Sequence, residues 1–136
     1  MMGGKKKRIL LIDDEPSLHE MIRLILDLAG YEMMGGDPRE WEAGSTGQIQ
    51  PDLIVLDLMM PEVDGFEMLR RLKEDEETKD IPVVVCTVRS DPEDRAEALR
   101  LGASRYLTKP FEPDRLIQCI EEALREAEGK GGPEGG

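Results

Sequence analysis

The stretch "RILLIDDEP", Arg8 to Pro16, decides the fold. Ile9 to Ile12 form a continuous aliphatic run that wants burial on both sides, as in a parallel strand covered by helices. The run stops at Asp13, Asp14 and Glu15, and Pro16 then suits a first helical turn through its fixed φ and missing N–H. Strand, acidic loop and helix follow in that order, which leaves carboxylates at the carboxyl end of a buried strand.

The same alternation recurs along the chain. Leu53 to Leu56 and Val83 to Val85 are further aliphatic runs, "YEMMGG" (31–36) is a weaker second strand, and "SRYLTK" (104–109) is a short fifth. Amphipathic segments lie between them, the pattern of βα units building an α/β protein with helices on both faces of a parallel sheet. The first helix runs from Pro16 to a left-handed cap at Gly30, with Leu18, Met21, Ile22, Ile25, Leu28 and Ala29 on one face. The third opens at the Asp64-Gly65 turn and runs to about Lys73, grouping Phe66, Leu69 and Leu72. Asp91 caps the fourth, with Pro92 at its first position and Gly102 at its end. The fifth spans about Pro113 to Ala127 and buries Leu116, Ile120, Ala123 and Leu124. In the second slot, "DPREWEAGSTGQIQ" (37–50), Gly44 and Gly47 each weaken a helix by about 1 kcal/mol. The expectation there is a short or irregular helix near Arg39 to Ala43, with Trp41 packing over the sheet.

The length of 136 residues suits one domain. Residues 1–6 and 128–136 are expected to be flexible, the latter because "GKGGPEGG" is glycine-rich. A net charge of −12 repels a nucleic-acid backbone, so the domain itself is expected not to bind DNA or RNA; "KKKR" (5–8) reads as a solvated lead-in to the first strand. Cys86 sits in a strand pattern and Cys119 in a helix pattern, and both are expected to be reduced small hydrophobes. His19 alone builds no metal site. No apolar run suits a membrane span or signal peptide, and the expectation is a soluble, cytoplasmic protein.

Asp13 and Asp14 follow the first strand, Asp57 the third and Lys109 the fifth, while Thr87 ends the fourth. Carboxyl ends of parallel strands form the edge where open α/β sheets place their ligands. If the strand order is 2-1-3-4-5, Asp13, Asp14 and Asp57 converge in one crevice, where they repel unless a cation joins them. A small all-oxygen set with no His or Cys suits Mg²⁺. Asp57 is then placed to attack phosphorus, with Lys109 neutralising the phosphoryl oxygens and the Thr87 hydroxyl bonding one of them.

The motifs "DDEP", "LIVLDLMMPEVDGFEML", "VVVCT" and "YLTKPF", in this order and spacing over residues 7–127, resemble the response-regulator receiver domain of two-component signalling. The resemblance implies a flavodoxin-like (βα)5 sandwich and phosphorylation of Asp57 by a histidine kinase or phosphotransfer protein. It implies Mg²⁺ held by Asp13, Asp14, Asp57 and the backbone carbonyl of Met59, with phosphoryl contacts from Thr87 and Lys109. Tyr106 would be the switch aromatic following Thr87, and the Lys109–Pro110 peptide would be cis. Phosphorylation would then alter the surface of the fourth helix, fifth strand and fifth helix.

Several positions depart from the pattern the family implies. Val88 stands where a small residue is usual, and Met59, Val88 and Arg89 are expected to tune phosphoryl turnover; Met59 cannot orient a water by hydrogen bonding. Receivers joined to winged-helix DNA-binding domains carry an Asp-Asp pair before the switch tyrosine and an Arg in the last helix. Ser104, Arg105 and Cys119 stand there instead, so that dimer mode is not expected, and the output is an unknown partner or a domain beyond Gly136. Glu15 reads equally as a helix-starting residue or as a carboxylate near the metal. Three other functions compete with the switch. A phosphatase would want an Asp where Met59 stands, an FMN carrier would want a phosphate-cradling loop after the first strand, and a pseudo-receiver would be a scaffold that is never phosphorylated. The leading expectation is a signalling module whose only catalysis is its own phosphorylation and dephosphorylation.

Overall fold

The computed structural model describes residues 6–35 and 50–130, with Lys130 as backbone alone. The expected second helix and Trp41 lie outside these residues, so the helices are numbered without it. The elements are β1 (Arg8–Ile12), α1 (Pro16–Ala29), β2 (Glu32–Gly35), β3 (Leu53–Leu56), α2 (Gly65–Glu74), β4 (Val83–Thr87), α3 (Pro92–Arg100), β5 (Arg105–Thr108) and α4 (Pro113–Lys130). The strands form one parallel sheet in the order β2-β1-β3-β4-β5. This is the flavodoxin-like order expected from the sequence, with the winding reversing between β1 and β3.

Register does the positioning. Ile12 pairs with Leu56 across β1 and β3, and the Asp57 N–H donates to the Ile12 carbonyl at 3.0 Å. Asp13 and Asp57 therefore leave the sheet side by side. On the other flank Thr87 pairs with Thr108, which brings Lys109 next to the end of β4. The Lys109 N–H then donates to the Thr87 carbonyl at 2.8 Å.

Alternate strand residues feed two cores, as the period of two requires. Ile9, Leu11, Leu53 and Val55 pack with Leu18, Ile22 and Leu26 of α1 and with Leu116, Cys119, Ile120, Ala123 and Leu124 of α4. Leu10, Ile12, Ile54 and Leu56 pack with Leu69 and Leu72 of α2, Ala98 of α3 and Tyr106 of β5. The two cysteines are free and buried. No described helix is long and apolar enough to cross a membrane.

Three helix ends match their sequence signals. Gly30 caps α1 in the left-handed region at φ 91°. The Asp64 carboxylate accepts from the N–H groups of Phe66 and Glu67 at 3.1 and 3.2 Å, and that of Asp91 from the Glu93 N–H at 3.2 Å. The apolar face of α1 needs correction. Leu26 is fully buried, whereas Leu28 is 82% and Met21 46% exposed, and Ala29 is exposed. At roughly 100° per residue, Leu28 points about 200° away from Leu26, so both cannot face the sheet. Helix α4 also continues to Lys130, past the expected end at Ala127.

A two-residue hairpin, Met59–Met60 against Val63–Asp64, follows β3 and was not anticipated from the sequence. Its turn places Glu62 at φ 68°, in the left-handed region. The chain then doubles back so closely that a Cβ on Gly65 would stand 2.4 Å from the Leu58 Cα; only glycine fits there.

Candidate functional site at the carboxyl edge of the sheet

The described residues bury four polar or charged side chains: Asp13, Asp57, Thr78 and Thr87. Three of them lie at the carboxyl ends of β1, β3 and β4. The fourth is structural: the Thr78 hydroxyl donates to the Leu72 carbonyl at 2.6 Å near the end of α2.

Asp13 and Asp57 are brought to one cation. Lys109 Nζ donates to Asp13 Oδ2 at 2.7 Å and to Asp57 Oδ2 at 2.9 Å. The remaining carboxylate oxygens are held by local main chain: Asp13 Oδ1 accepts from the Glu15 N–H and Asp57 Oδ1 from the Met59 N–H, both at 2.9 Å. Such bonds fix both carboxylates before any ligand arrives. The Lys109–Pro110 peptide is cis. His19 bonds the Asp13 carbonyl through Nε2, a role its isolation in the sequence did not suggest.

Electrostatics follow from burial. Desolvation pushes the Asp13 carboxyl above its ordinary 3.8, only partly offset by the Lys109 ammonium and the Glu15 N–H. For Lys109, burial disfavours the charged form, but the hydrogen bonds to Asp13 and Asp57 outweigh it and hold the ammonium above its ordinary 10.5. The site thus carries more negative charge than one lysine neutralises.

Asp14 is exposed at the rim beside Asp13. Among the described residues no three His, Cys, Asp or Glu side chains are gathered as a ready metal centre; Lys109 is the cation that Asp13 and Asp57 share. The donor chemistry nevertheless fits a hard divalent cation, since carboxylate and carbonyl oxygens are what Mg²⁺ takes and their excess negative charge favours one.

Thr87 is fully buried, and its Oγ1 accepts from the Arg89 N–H at 3.4 Å. Tyr106 is buried too, and its hydroxyl donates to the Arg89 carbonyl at 2.8 Å. Burial, with the nearby Asp94 carboxylate, lifts the Tyr106 phenol above its usual range. The Arg95 guanidinium lies 5.7 Å from the centre of the Tyr106 ring and donates to the Tyr106 carbonyl at 3.2 Å. Val88 and Met59 are 57% and 48% exposed. Arg105, marked in the sequence only as a departure, donates to Glu122 Oε1 at 3.1 Å and to Glu126 Oε2 at 2.6 Å, and Cys119 beside this cluster is buried.

A doubly wound sheet with two buried acids, a lysine and a threonine at its ligand edge defines a class of signalling domain, and comparison with known proteins agrees. The model of the response regulator receiver domain matches residues 9–121, and the chain belongs to that family. It is 40% identical over 119 residues to the phosphate regulon transcriptional regulatory protein PhoB of Pseudomonas aeruginosa. That alignment covers 88% of this chain and 52% of PhoB, so the chain spans about half the length of the curated relatives it matches. Among solved structures it resembles the chemotaxis protein CheY4 of Vibrio cholerae at a TM-score of 0.78, 29% identical, covering 87% of this chain and 98% of that one. The receiver domain of the Pseudomonas aeruginosa sensor histidine kinase PA1611 superposes at a TM-score of 0.76, 26% identical, covering 88% and 98% of the two chains. That structure has a magnesium ion coordinated in its active-site cleft. The protein is accordingly a signalling module.

Proposed function

We propose that this domain is a phosphorylation switch in which Asp57 accepts a phosphoryl group from a histidine kinase or phosphotransfer protein. The observation that carries this reading is the pair of buried carboxylates, Asp13 and Asp57, meeting at Lys109 Nζ beside the buried Thr87. Asp13, Asp14, Asp57 and the Met59 carbonyl would hold Mg²⁺, which supplies positive charge to the phosphoryl oxygens when bound.

The side chains divide the work. Asp57 Oδ2 attacks phosphorus, forming the acyl phosphate as the donor's own bond to phosphorus breaks. Lys109 Nζ is already 2.9 Å from that oxygen and takes up the charge that the phosphoryl group brings. The Thr87 hydroxyl donates to a phosphoryl oxygen, which draws the loop after β4 inward. That movement reaches Tyr106 through the Arg89 carbonyl that its hydroxyl holds. The surface of α3, β5 and α4 changes with it and reads out to a partner or output domain. By linkage, a partner preferring the phosphorylated surface also favours phosphorylation. With its net charge of −12, this domain is proposed to act without touching nucleic acid itself.

The test is incubation of the chain with Mg²⁺ and acetyl phosphate, followed by intact mass measurement. The parent gains one phosphoryl mass and Asp57→Asn gains none. A folded parent that gains no mass under these conditions returns the domain to the scaffold reading.

A further inference from the structure

Arg89 stands two residues beyond Thr87 and is held at both ends. Its main chain belongs to the site, with the N–H donating to Thr87 Oγ1 at 3.4 Å and the carbonyl accepting from the Tyr106 hydroxyl at 2.8 Å. Its side chain points to another element. Arg89 Nε donates to Asp94 Oδ2 of α3 at 2.8 Å, and the guanidinium lies 5.6 Å from the centre of the Phe66 ring on α2.

Arg89 also lines an open cleft of about 510 Å³ whose lining includes Leu58, Met59, Met60, Pro61 and Phe66. This cleft borders the nucleophile, because the Met59 N–H donates to Asp57 Oδ1 at 2.9 Å. Arg89 thus shares a cleft with Met59, whose main chain touches Asp57, and its guanidinium charge is engaged by the Asp94 carboxylate. The pair is partly exposed, at 38% for Arg89 and 23% for Asp94, so it is weak enough to exchange.

A phosphoryl group on Asp57 brings close to two negative charges and three acceptor oxygens. Lys109 already serves two carboxylates, and a planar guanidinium matches a phosphoryl group with paired donors. We propose that Asp94 is a positioning residue that holds Arg89 off the phosphoryl pocket, and that Arg89 exchanges Asp94 for the phosphoryl anion of an incoming donor and of phosphorylated Asp57. The exchange frees a carboxylate in the first turn of α3 and so ties site occupancy to that helix without passing through Tyr106. In transfer from acetyl phosphate the Asp57 Oδ–P bond forms as the acyl O–P bond breaks and acetate leaves; from a phosphohistidine it is the N–P bond that breaks and the imidazole that leaves, and in neither case does a proton move to or from Arg89.

This inference rests on Asp57 as acceptor, and one experiment separates the two. The initial rate of phosphorylation is measured against acetyl phosphate concentration, with Mg²⁺, for the parent, Asp94→Asn, Asp94→Glu, Arg89→Gln and the double variant Arg89→Gln/Asp94→Asn. Asp94→Asn is expected to lower the half-saturating concentration about threefold, the scale of one partly exposed ion pair, with the maximal rate little changed. Asp94→Glu retains the parental value, Arg89→Gln raises it, and adding Asp94→Asn to Arg89→Gln changes nothing further. A parent labelled on Asp57 whose half-saturation is unmoved by Asp94→Asn, or moved equally in the Arg89→Gln background, overturns the Arg89 exchange alone. A folded parent that takes no phosphoryl group on Asp57 overturns both readings.

Discussion

Helices α4 and α3 lie on opposite faces of the same sheet and are attached in opposite ways. Helix α4 buries Leu116, Cys119, Ile120, Ala123 and Leu124 in one core; α3 places a single residue, Ala98, in the other and leaves Leu99 40% exposed. At about 25 cal/mol per Å² of apolar surface, an alanine side chain anchors a helix far more weakly than two leucines and an isoleucine. Much of what holds α3 is polar and partly wet: Arg89 to Asp94, and Arg95 to Tyr106. The contrast teaches where movement is cheap. A helix pinned by charge and one methyl group can shift when the charges at the neighbouring site change, while α4 supplies a fixed wall.

Four substitutions break or sharpen this contrast. The largest loss is expected from Leu116→Ala, about 3 kcal/mol in urea unfolding, because the fully buried side chain would leave a cavity in the core between α1, α4 and the sheet. A loss below that of a surface substitution would undo the claim that α4 is the fixed wall.

Asp13→Asn is expected to stabilise the metal-free chain by about 1 kcal/mol at pH 7, since it removes a buried charge that Lys109 only partly compensates. The sign follows from the raised carboxyl of Asp13. The folded chain holds that proton more tightly than the unfolded chain, so this contribution to stability is lost as pH rises from the unfolded value of 3.8 through the higher folded one. The variant's advantage should therefore disappear below the unfolded pKa, and hydrogen exchange should slow on both faces alike. A gain that persists in acid argues against the buried charge as its cause.

Ala98→Gly is expected to cost about 1 kcal/mol through helix propensity and lost packing, and to speed amide exchange in α3 while α4 stays protected. Equal acceleration in both helices would mean that they move as one body. The smallest effect is expected from Glu62→Gly, a gain of about 0.5 kcal/mol from relief of a left-handed conformation at φ 68°. It should leave exchange in α3 and α4 unchanged, and serves as the local control.

The sequence was legible where several signals coincided. Ile9 to Ile12, with acids and a proline behind them, specify strand, loop and helix together, and the matching end of β3 sets Asp57 beside Asp13. Aliphatic runs marked β1, β3 and β4, weaker patterns marked β2 and β5, and Pro, Asp and Gly marked helix ends. What stayed hidden was set by tertiary packing. Leu26 and Leu28 are alike in polarity, and which of them faces the core depends on the rotation at which α1 meets the sheet. The hairpin at Met59 to Asp64 is too short for any alternation, and Glu62 occupies a left-handed turn position that glycine would have advertised. At the site, residue types were readable from spacing, but the ties of Arg89 to Asp94 and of Arg105 to Glu122 and Glu126 join elements whose relative placement no local pattern encodes.

The main-chain bond from the Lys109 N–H to the Thr87 carbonyl has a mechanical consequence. The two residues proposed to grip the phosphoryl group stand at the ends of separate strands, yet this bond makes them the two teeth of a single jaw. Substituting either side chain replaces a tooth and leaves the span of the jaw alone. A partner that pulls on the loop after β4 would move both teeth together, so the grip on the substrate can be loosened from the surface without any change inside it.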